Sequence, residues 1–264
     1  MYAIVFHTHQ KLDRIAHRHL RGLLPEGSFF PNIRQVLRFE AGHGPDGAKL
    51  KRHPEGIQPW HFVDPFNESD TDLHRQIAEH YRRLVEELSK RDSVRAAFEA
   101  AWLAHALVDG LTPAHHYPYE EELTDLLGGE SPQMRKGIAG RAYAKGDTLM
   151  ETLQRSLKII GPRGLLTSHA MFEAGAYAII APLKLSKARP SLDDVERIMT
   201  DGIVSVFREA AKEVAQLDLY ARFCADGWIR PVIKDVRDEL APRMVNIVTL
   251  AWCAAASEAA KVTA

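Results

Sequence analysis

Apolar residues recur along most of the chain three or four positions apart, and this spacing predicts an all-α fold. We find no alternation of apolar and polar residues of the kind typical of strands. A chain of 264 residues suits a single helical domain spanning 1–264. The pattern and its breakers predict helices over about 9–24, 32–40, 72–90, 93–109, 120–127, 147–159, 166–183, 192–217 and 231–261.

The longest apolar run, 244–256, lies inside the last predicted helix. It is shorter than the roughly 20 residues that a bilayer requires, so the pattern predicts a buried core helix and no transmembrane segment. The first residues lack the positively charged start, apolar run and small-residue cleavage site of a secretory signal. A cytoplasmic protein is therefore the expectation.

Net charge and cysteine content limit the binding partners and the metal ligands that the chain can offer. The formal net charge of −1 gives no global attraction to nucleic acid, and nothing in the sequence indicates a specific protein partner. Cys224 and Cys253, the two cysteines, both lie in largely apolar stretches. A disulfide framework or a thiolate zinc site is therefore not expected. Any metal would have nitrogen and oxygen ligands.

Two segments interrupt the helical pattern. Residues 41–65 are rich in Gly, Pro and His and predict a long irregular loop, which in compact domains is usually functional or disordered. The second segment, 116–168, is polar and glycine-containing with short helices. Its aromatic and basic residues are most simply packing residues and a solvated face: Tyr117, Tyr119, Arg135, Lys136, Arg141, Tyr143 and Lys145.

The richest motif closes the apolar helix that ends near residue 109. His105 and Asp109 are four residues apart, so on a helix their side chains lie on one face, about 5 to 6 Å from each other. Gly110 and Pro113 then break the helix, which lets His115 approach the same cleft from another direction. One metal ion could bind both His105 and Asp109, and the geometry with His115 suits a metal cluster.

His169 and Glu173 repeat the same spacing on a later helix. Imidazole and carboxylate ligands without thiolates suit a zinc site that keeps exchangeable positions for water. Either pair alone is more often a surface pair or a core histidine, and the chain has 13 histidines, which makes chance spacings common. The order of the two motifs is more informative than either one.

In that order the sequence resembles the superfamily of zinc-dependent phospholipases C and single-strand-specific nucleases, which are helical enzymes with three clustered zinc ions. The segment from His105 to His115 is similar to its signature His-x3-Asp-x3-Pro-x-His, and the pair His169 and Glu173 to its later His-x3-Glu. The run Trp-His-Phe-Val-Asp-Pro around His61 resembles a segment that carries another histidine ligand.

The resemblance also implies two further metal ligands, and for each of them the sequence offers more than one candidate. An aspartate ligand is expected about fifteen residues before His61, where Asp46 fits and Glu40 and Glu55 are rivals. A histidine is expected on the first helix. There His9 is preferred over its neighbours His7, His17 and His19.

The resemblance implies a bundle that holds two or three Zn²⁺ ions. One would be bound by Asp46, His61, His105 and Asp109, a second by His115, His169 and Glu173, and a third by His9 with Asp109. It also implies a hydrolase of phosphoric esters, phospholipase C-like, with a metal-activated water and with Asp46 as general base. Asp64 is a candidate partner for a ligand histidine. The alternatives are a nuclease or phosphatase of the same fold, or a noncatalytic zinc-binding protein.

The resemblance covers about residues 7–183, while the helices over about 190–262 carry none of its motifs. Two departures stand out. Members usually begin with a Trp that binds the third zinc, and Met1 stands only eight residues before His9. The stretch 116–168 is also far longer than the corresponding link in the bacterial phospholipases.

Overall fold

The computed structural model describes residues 2–40, 44–45, 61–130, 140 and 143–263. Within these ranges the chain forms helices and turns and no strand, which confirms the all-α class. The helices are α1 (Tyr2–Leu20), α2 (Ile33–Arg38), α3 (Asp72–Ser89), α4 (Ser93–Gly110), α5 (Tyr119–Leu126), α6 (Leu149–Ile160), α7 (Leu165–Ile180), α8 (Leu192–Asp201), α9 (Ile203–Gln216), α10 (Leu219–Asp226), α11 (Arg230–Asp235) and α12 (Ala241–Thr263).

The predicted helices exist, but the C-terminal part is divided differently. The single helix expected over 192–217 is two helices, because Gly202 has a positive φ of 79° and turns the chain between α8 and α9. Asp218 is likewise left-handed, with φ 51°, and α10 follows it unpredicted. Apolar periodicity runs through both turns and does not reveal them. At the N-terminus α1 ends at Leu20, four residues earlier than expected.

Helix α12 lies at the centre of the main core and packs against α1, α3, α4 and α8. Trp252 is fully buried and its indole N–H donates to the carbonyl of Ala100 on α4 (3.0 Å). The prediction of a buried core helix over 244–256 is confirmed. The continuous helix Arg230–Val262, which includes a π-helical turn at Val236–Leu240, is long and apolar enough to cross a membrane, but 78% of its apolar window is buried inside the protein.

Helices α3 and α4 form an antiparallel pair next to α12. Asp92 caps α4 by accepting the backbone N–H groups of Val94 and Arg95. At the other end of α4 the chain needs a residue without a side chain. A Cβ on Gly110 would collide with the rings and methyls of Phe207 and Leu73, so glycine permits this close approach and fixes the helix end that carries the first motif.

A second, smaller core joins α5, α6 and the start of α7. Its buried residues are Leu123, Leu127, Ala144, Ile159 and Leu165. Tyr117 and Tyr119 pack against its edge. This core holds α5 and α6 against the helix that carries His169.

Candidate metal centre

Five buried residues from separate parts of the chain come together in a group that we name the inner cluster. They are His9 on α1, Glu40 after α2, His61, and His105 with Asp109 on α4. Each is at most 4% exposed. Glu40 was the rival to Asp46 in the sequence, and the fold brings it into the inner cluster.

Asp109 lies at the middle of the inner cluster. Its Oδ2 is 2.6 Å from Nδ1 of His61 and 3.2 Å from Nε2 of His105, and its Oδ1 is 3.3 Å from Nε2 of His9. Burial alone would raise the pKa of this carboxyl, but the charges of His105 and His115 and the hydrogen bonds of His105 and His61 outweigh it and hold the pKa well below its usual range. One carboxylate thus faces three imidazoles.

The rings of His9 and His105 are stacked, with centroids 4.1 Å apart and planes 11° from parallel. Both rings present Nε2 to Asp109 and Nδ1 to Glu40. The Nδ1–H of His105 donates to Oε1 of Glu40 at 2.8 Å, and Nδ1 of His9 lies 3.5 Å from the same oxygen. The stacked pair is therefore held between two buried carboxylates.

The remaining three ligand candidates, His115, His169 and Glu173, form what we name the outer cluster. Oε1 of Glu173 is 3.3 Å from Nε2 of His115 and 3.1 Å from Nε2 of His169, and the two rings stack at 5.2 Å. Burial would raise the pKa of Glu173, but the two histidines lower it below its ordinary value. The side chain of Glu173 is 21% exposed, whereas that of Asp109 is 6% exposed.

Backbone contacts tie the two clusters together. The short 3₁₀ turn Pro113–His115 follows α4, and Nε2–H of His116 donates to the carbonyl of Gly110 (2.8 Å). The N–H of Val63 donates to the carbonyl of His115 (3.1 Å). As a result Nδ1 of His115 lies 3.8 Å from Oδ1 of Asp109, which makes Asp109 the residue that faces both clusters.

An aromatic wall borders the outer cluster. The ring centroid of Phe62 lies 5.0 Å from that of His115 and 6.2 Å from that of His169, and its ring is parallel to that of Tyr119 with centroids 5.6 Å apart. Tyr119 is itself 5.1 Å from His169. Of the aromatics in segment 116–168, this tyrosine therefore belongs to the site.

The other residues raised by the sequence have different positions. Asp46 and Glu55, as well as Arg135, Lys136 and Arg141, lie outside the described residues, as does the side chain of His7. The rings of His17 and His19 donate instead to the carbonyls of Pro31 and Leu185. Asp64, the expected partner of a ligand histidine, accepts the N–H of Phe66 in a local turn, and it is Glu40 whose carboxylate contacts His105.

Asp13 is the residue that the sequence reasoning missed. It is 1% exposed, and neither of its oxygens has a hydrogen-bond partner within the described residues. Burial first, and then the charge of Glu40, raise its pKa well above the usual value. Asp13 follows His9 by four residues, which is the spacing of His105 and Asp109, so the same motif search finds it.

A cavity of about 820 Å³ is lined by His116 and Ser168, the chain neighbours of the ligand candidates His115 and His169, while the side chains of the outer cluster itself are not among its lining residues. Its charged lining residues are Asp64, Glu122, Asp125, Lys158, Arg163 and Asp218.

The ligand atoms of His9, His105 and Asp109 lie within 4.8 Å of one another, as do those of His115, His169 and Glu173. Both triads have the nitrogen and oxygen donors that suit a divalent metal such as zinc.

Comparisons with protein-family models, with curated proteins and with solved structures find no match to this chain.

Proposed function

We propose that the protein is a zinc-dependent hydrolase of phosphoric esters, and specifically a phospholipase C-like phosphodiesterase. The observation that carries the proposal is the arrangement of two His/carboxylate triads, one of which contains Asp109 while His115 of the other lies 3.8 Å from the same carboxylate. The resemblance of the motifs to zinc-dependent phospholipases C and nucleases supports the same activity.

The donor groups fit zinc ions. Carboxylates at this depth are costly unless positive charge offsets them. Asp109 and Glu40 are almost fully buried, and one oxygen of Glu40 and both of Asp13 lack a hydrogen-bond partner within the described residues. Divalent cations supply the missing charge, and neutral imidazoles supply the remaining ligands.

The proposed ligand sets follow the two clusters. His61, His105 and Asp109 would hold one zinc, with His9 and Asp109 contributing to another. His115, His169 and Glu173 would hold the ion nearest the cavity. Asp46 remains our proposed fourth ligand and general base, although it lies outside the described residues.

Glu40 orients the inner histidines in this proposal. By accepting Nδ1–H from His105 and facing Nδ1 of His9, its carboxylate favours the tautomer in which both Nε2 atoms are free of protons and directed at the metal beside Asp109. When bound, zinc ions in such a pair offset the charge of a phosphoryl group and lower the pKa of a coordinated water to near 7.

The charge of the cavity favours a phospholipase C-like substrate over a nucleic acid. Among the described residues, four carboxylates and two cations line it, and this excess of negative charge disfavours a polyanion. A single phosphodiester that carries a positive group beside the phosphate fits better. Lys158 and Arg163, the two cations of the described wall, would attract the phosphate.

The test combines metal analysis with activity on separated substrate classes. We expect two or three zinc ions per chain, and zinc-dependent hydrolysis of nitrophenyl phosphodiesters and of short-chain phospholipids in preference to single-stranded nucleic acid. One zinc or none after zinc supplementation would refute the cluster. Two or more zinc ions without hydrolysis of any of these substrates would favour a noncatalytic zinc-binding protein.

A further inference from the structure

Helix α6 turns its apolar side toward solvent. At 100° per residue, five apolar positions fall within an arc of about 100° that we name the α6 face. Their exposed fractions range from 48% to 90%. The residues of the α6 face are Leu149, Met150, Leu153, Leu157 and Ile160.

The rest of the helix is well anchored, so the exposure of this face is a feature of the fold. Thr148 caps α6 by accepting the N–H of Glu151 (3.1 Å). On the opposite side Ile159 is fully buried in the smaller core, beside Leu123 and Leu165. Contiguous exposed apolar residues on a fixed helix mark an interaction surface.

Cationic groups flank the α6 face. Lys145 is exposed before the helix, and Lys158 and Arg163 are exposed at its end, where they also line the cavity with its carboxylates. On α6 itself the acidic residue, Glu151, is paired with Arg155, and Asp147 is an exposed acid just before the helix. Tyr143, 56% exposed, precedes the helix as an amphipathic aromatic of the kind enriched at membrane interfaces.

We propose that the α6 face binds the surface of an anionic lipid bilayer, with its apolar residues in the headgroup region and its lysines toward anionic lipids. Helices with this division of faces lie in the interface about 5–10 Å deep. A second copy of the chain fits less well. A face about 18 Å long and 10 Å wide offers a few hundred Å² at most, against about 800 Å² per partner in a stable dimer. This surface goes beyond the proposed hydrolysis and does not depend on it.

The experiment is flotation of the full chain with vesicles of phosphatidylcholine alone or mixed with phosphatidylserine. Leu153→Gln removes one apolar group from the face, and Leu192→Gln is the matched control because Leu192 is 78% exposed but lies on α8. We expect Leu153→Gln to weaken binding to the mixed vesicles roughly 10- to 100-fold and Leu192→Gln to leave it unchanged. Lys158→Gln should weaken binding to mixed vesicles about fivefold and to neutral vesicles hardly at all.

Three results would overturn the surface. These are no flotation of the wild-type chain with mixed vesicles, equal loss in both leucine variants, or a dimer in light scattering that Leu153→Gln disperses. Hydrolysis of a soluble nitrophenyl phosphodiester, measured alongside, should be the same in Leu153→Gln and wild type. If that hydrolysis is absent while flotation behaves as expected, the proposed function fails and the membrane surface stands.

Discussion

The inner and outer clusters use the same sequence motif in different surroundings. Both contain a histidine and a carboxylate four residues apart on one helix, His105 with Asp109 and His169 with Glu173. Helix α4 is buried on nearly all sides at its end, whereas α7 keeps its motif partly exposed beside a cavity. The two motifs have the same spacing, so the difference in their burial is what suggests different roles. The inner pair is suited to hold metal away from water, and the outer pair is suited to meet a substrate.

The largest effect should come from the carboxylate that faces both clusters. Asp109→Asn keeps the size of the side chain but removes the charge opposite His9, His61 and His105. We expect loss of two zinc ions and of nearly all hydrolysis. Each lost ion removes about 2.7 kcal/mol of stability at a free zinc concentration of about 100 times Kd. Elemental analysis and melting temperature measure both.

The matched comparison for Asp109→Asn is His9→Ala, which removes a ligand from one metal only. Its melting temperature should fall less in the same buffer at the same free zinc concentration. If Asp109→Asn keeps its full zinc content and melts like the wild type, Asp109 is not shared between metals, and the division into inner and outer clusters needs redrawing.

Changes in the outer cluster should separate activity from stability. Glu173→Ala or His115→Ala should remove one zinc ion and abolish hydrolysis while leaving a folded protein, because the inner cluster and the main core are untouched. Circular dichroism and zinc content distinguish this from unfolding. Hydrolysis at the wild-type rate in either variant would exclude that residue from the site.

A smaller effect is expected at Glu40, which contacts the histidines rather than an assigned zinc position. Glu40→Gln keeps the shape but weakens the hold on Nδ1 of His105 and His9. Changes of this kind typically cost about 10- to 100-fold in metal affinity. Titration against a zinc chelator measures it, with the exposed Glu26→Gln as control. A loss of a whole zinc ion would instead make Glu40 a direct ligand.

The last effect is confined to acid pH and concerns His116, whose ring N–H donates to the carbonyl of Gly110 at the end of α4. Burial, the largest cause, lowers the pKa of His116 to about 4. Below the usual value of about 6.5, the unfolded chain binds a proton that the folded chain does not, so stability falls as pH drops from about 6.5 to 4, by at most about 1.4 kcal/mol per pH unit. In zinc-free protein, His116→Gln should flatten this part of the melting curve against pH. An unchanged slope would assign the acid sensitivity to other groups.

The sequence predicts what depends on local spacing. The two helical motifs, the all-α class and the buried run over 244–256 follow from periodicity, since neighbours on a helix are fixed by the backbone alone. Glu40 carries no motif of its own, and its place beside His9 depends on how α1 and the turn after α2 pack against α4. Asp13 repeats the four-residue spacing from His9 on α1, but the resemblance assigned no ligand there. The break at Gly202 is not visible in the sequence because glycine also occurs inside helices here, as Gly175 does on α7, and the pattern does not reveal which glycine has a positive φ.

The position of α12 has a consequence for biosynthesis. The hydroxyl of Thr249 on α12 reaches the carbonyl of Ala16 on α1, a contact that spans 233 residues. During translation α1 emerges long before α12 and meets this largest packing partner only once α12 has left the ribosome. The long loop that joins the two helices carries a closure cost that is recovered only when α12 packs. The helix that carries His9 therefore gains its full packing only after α12 has been synthesised.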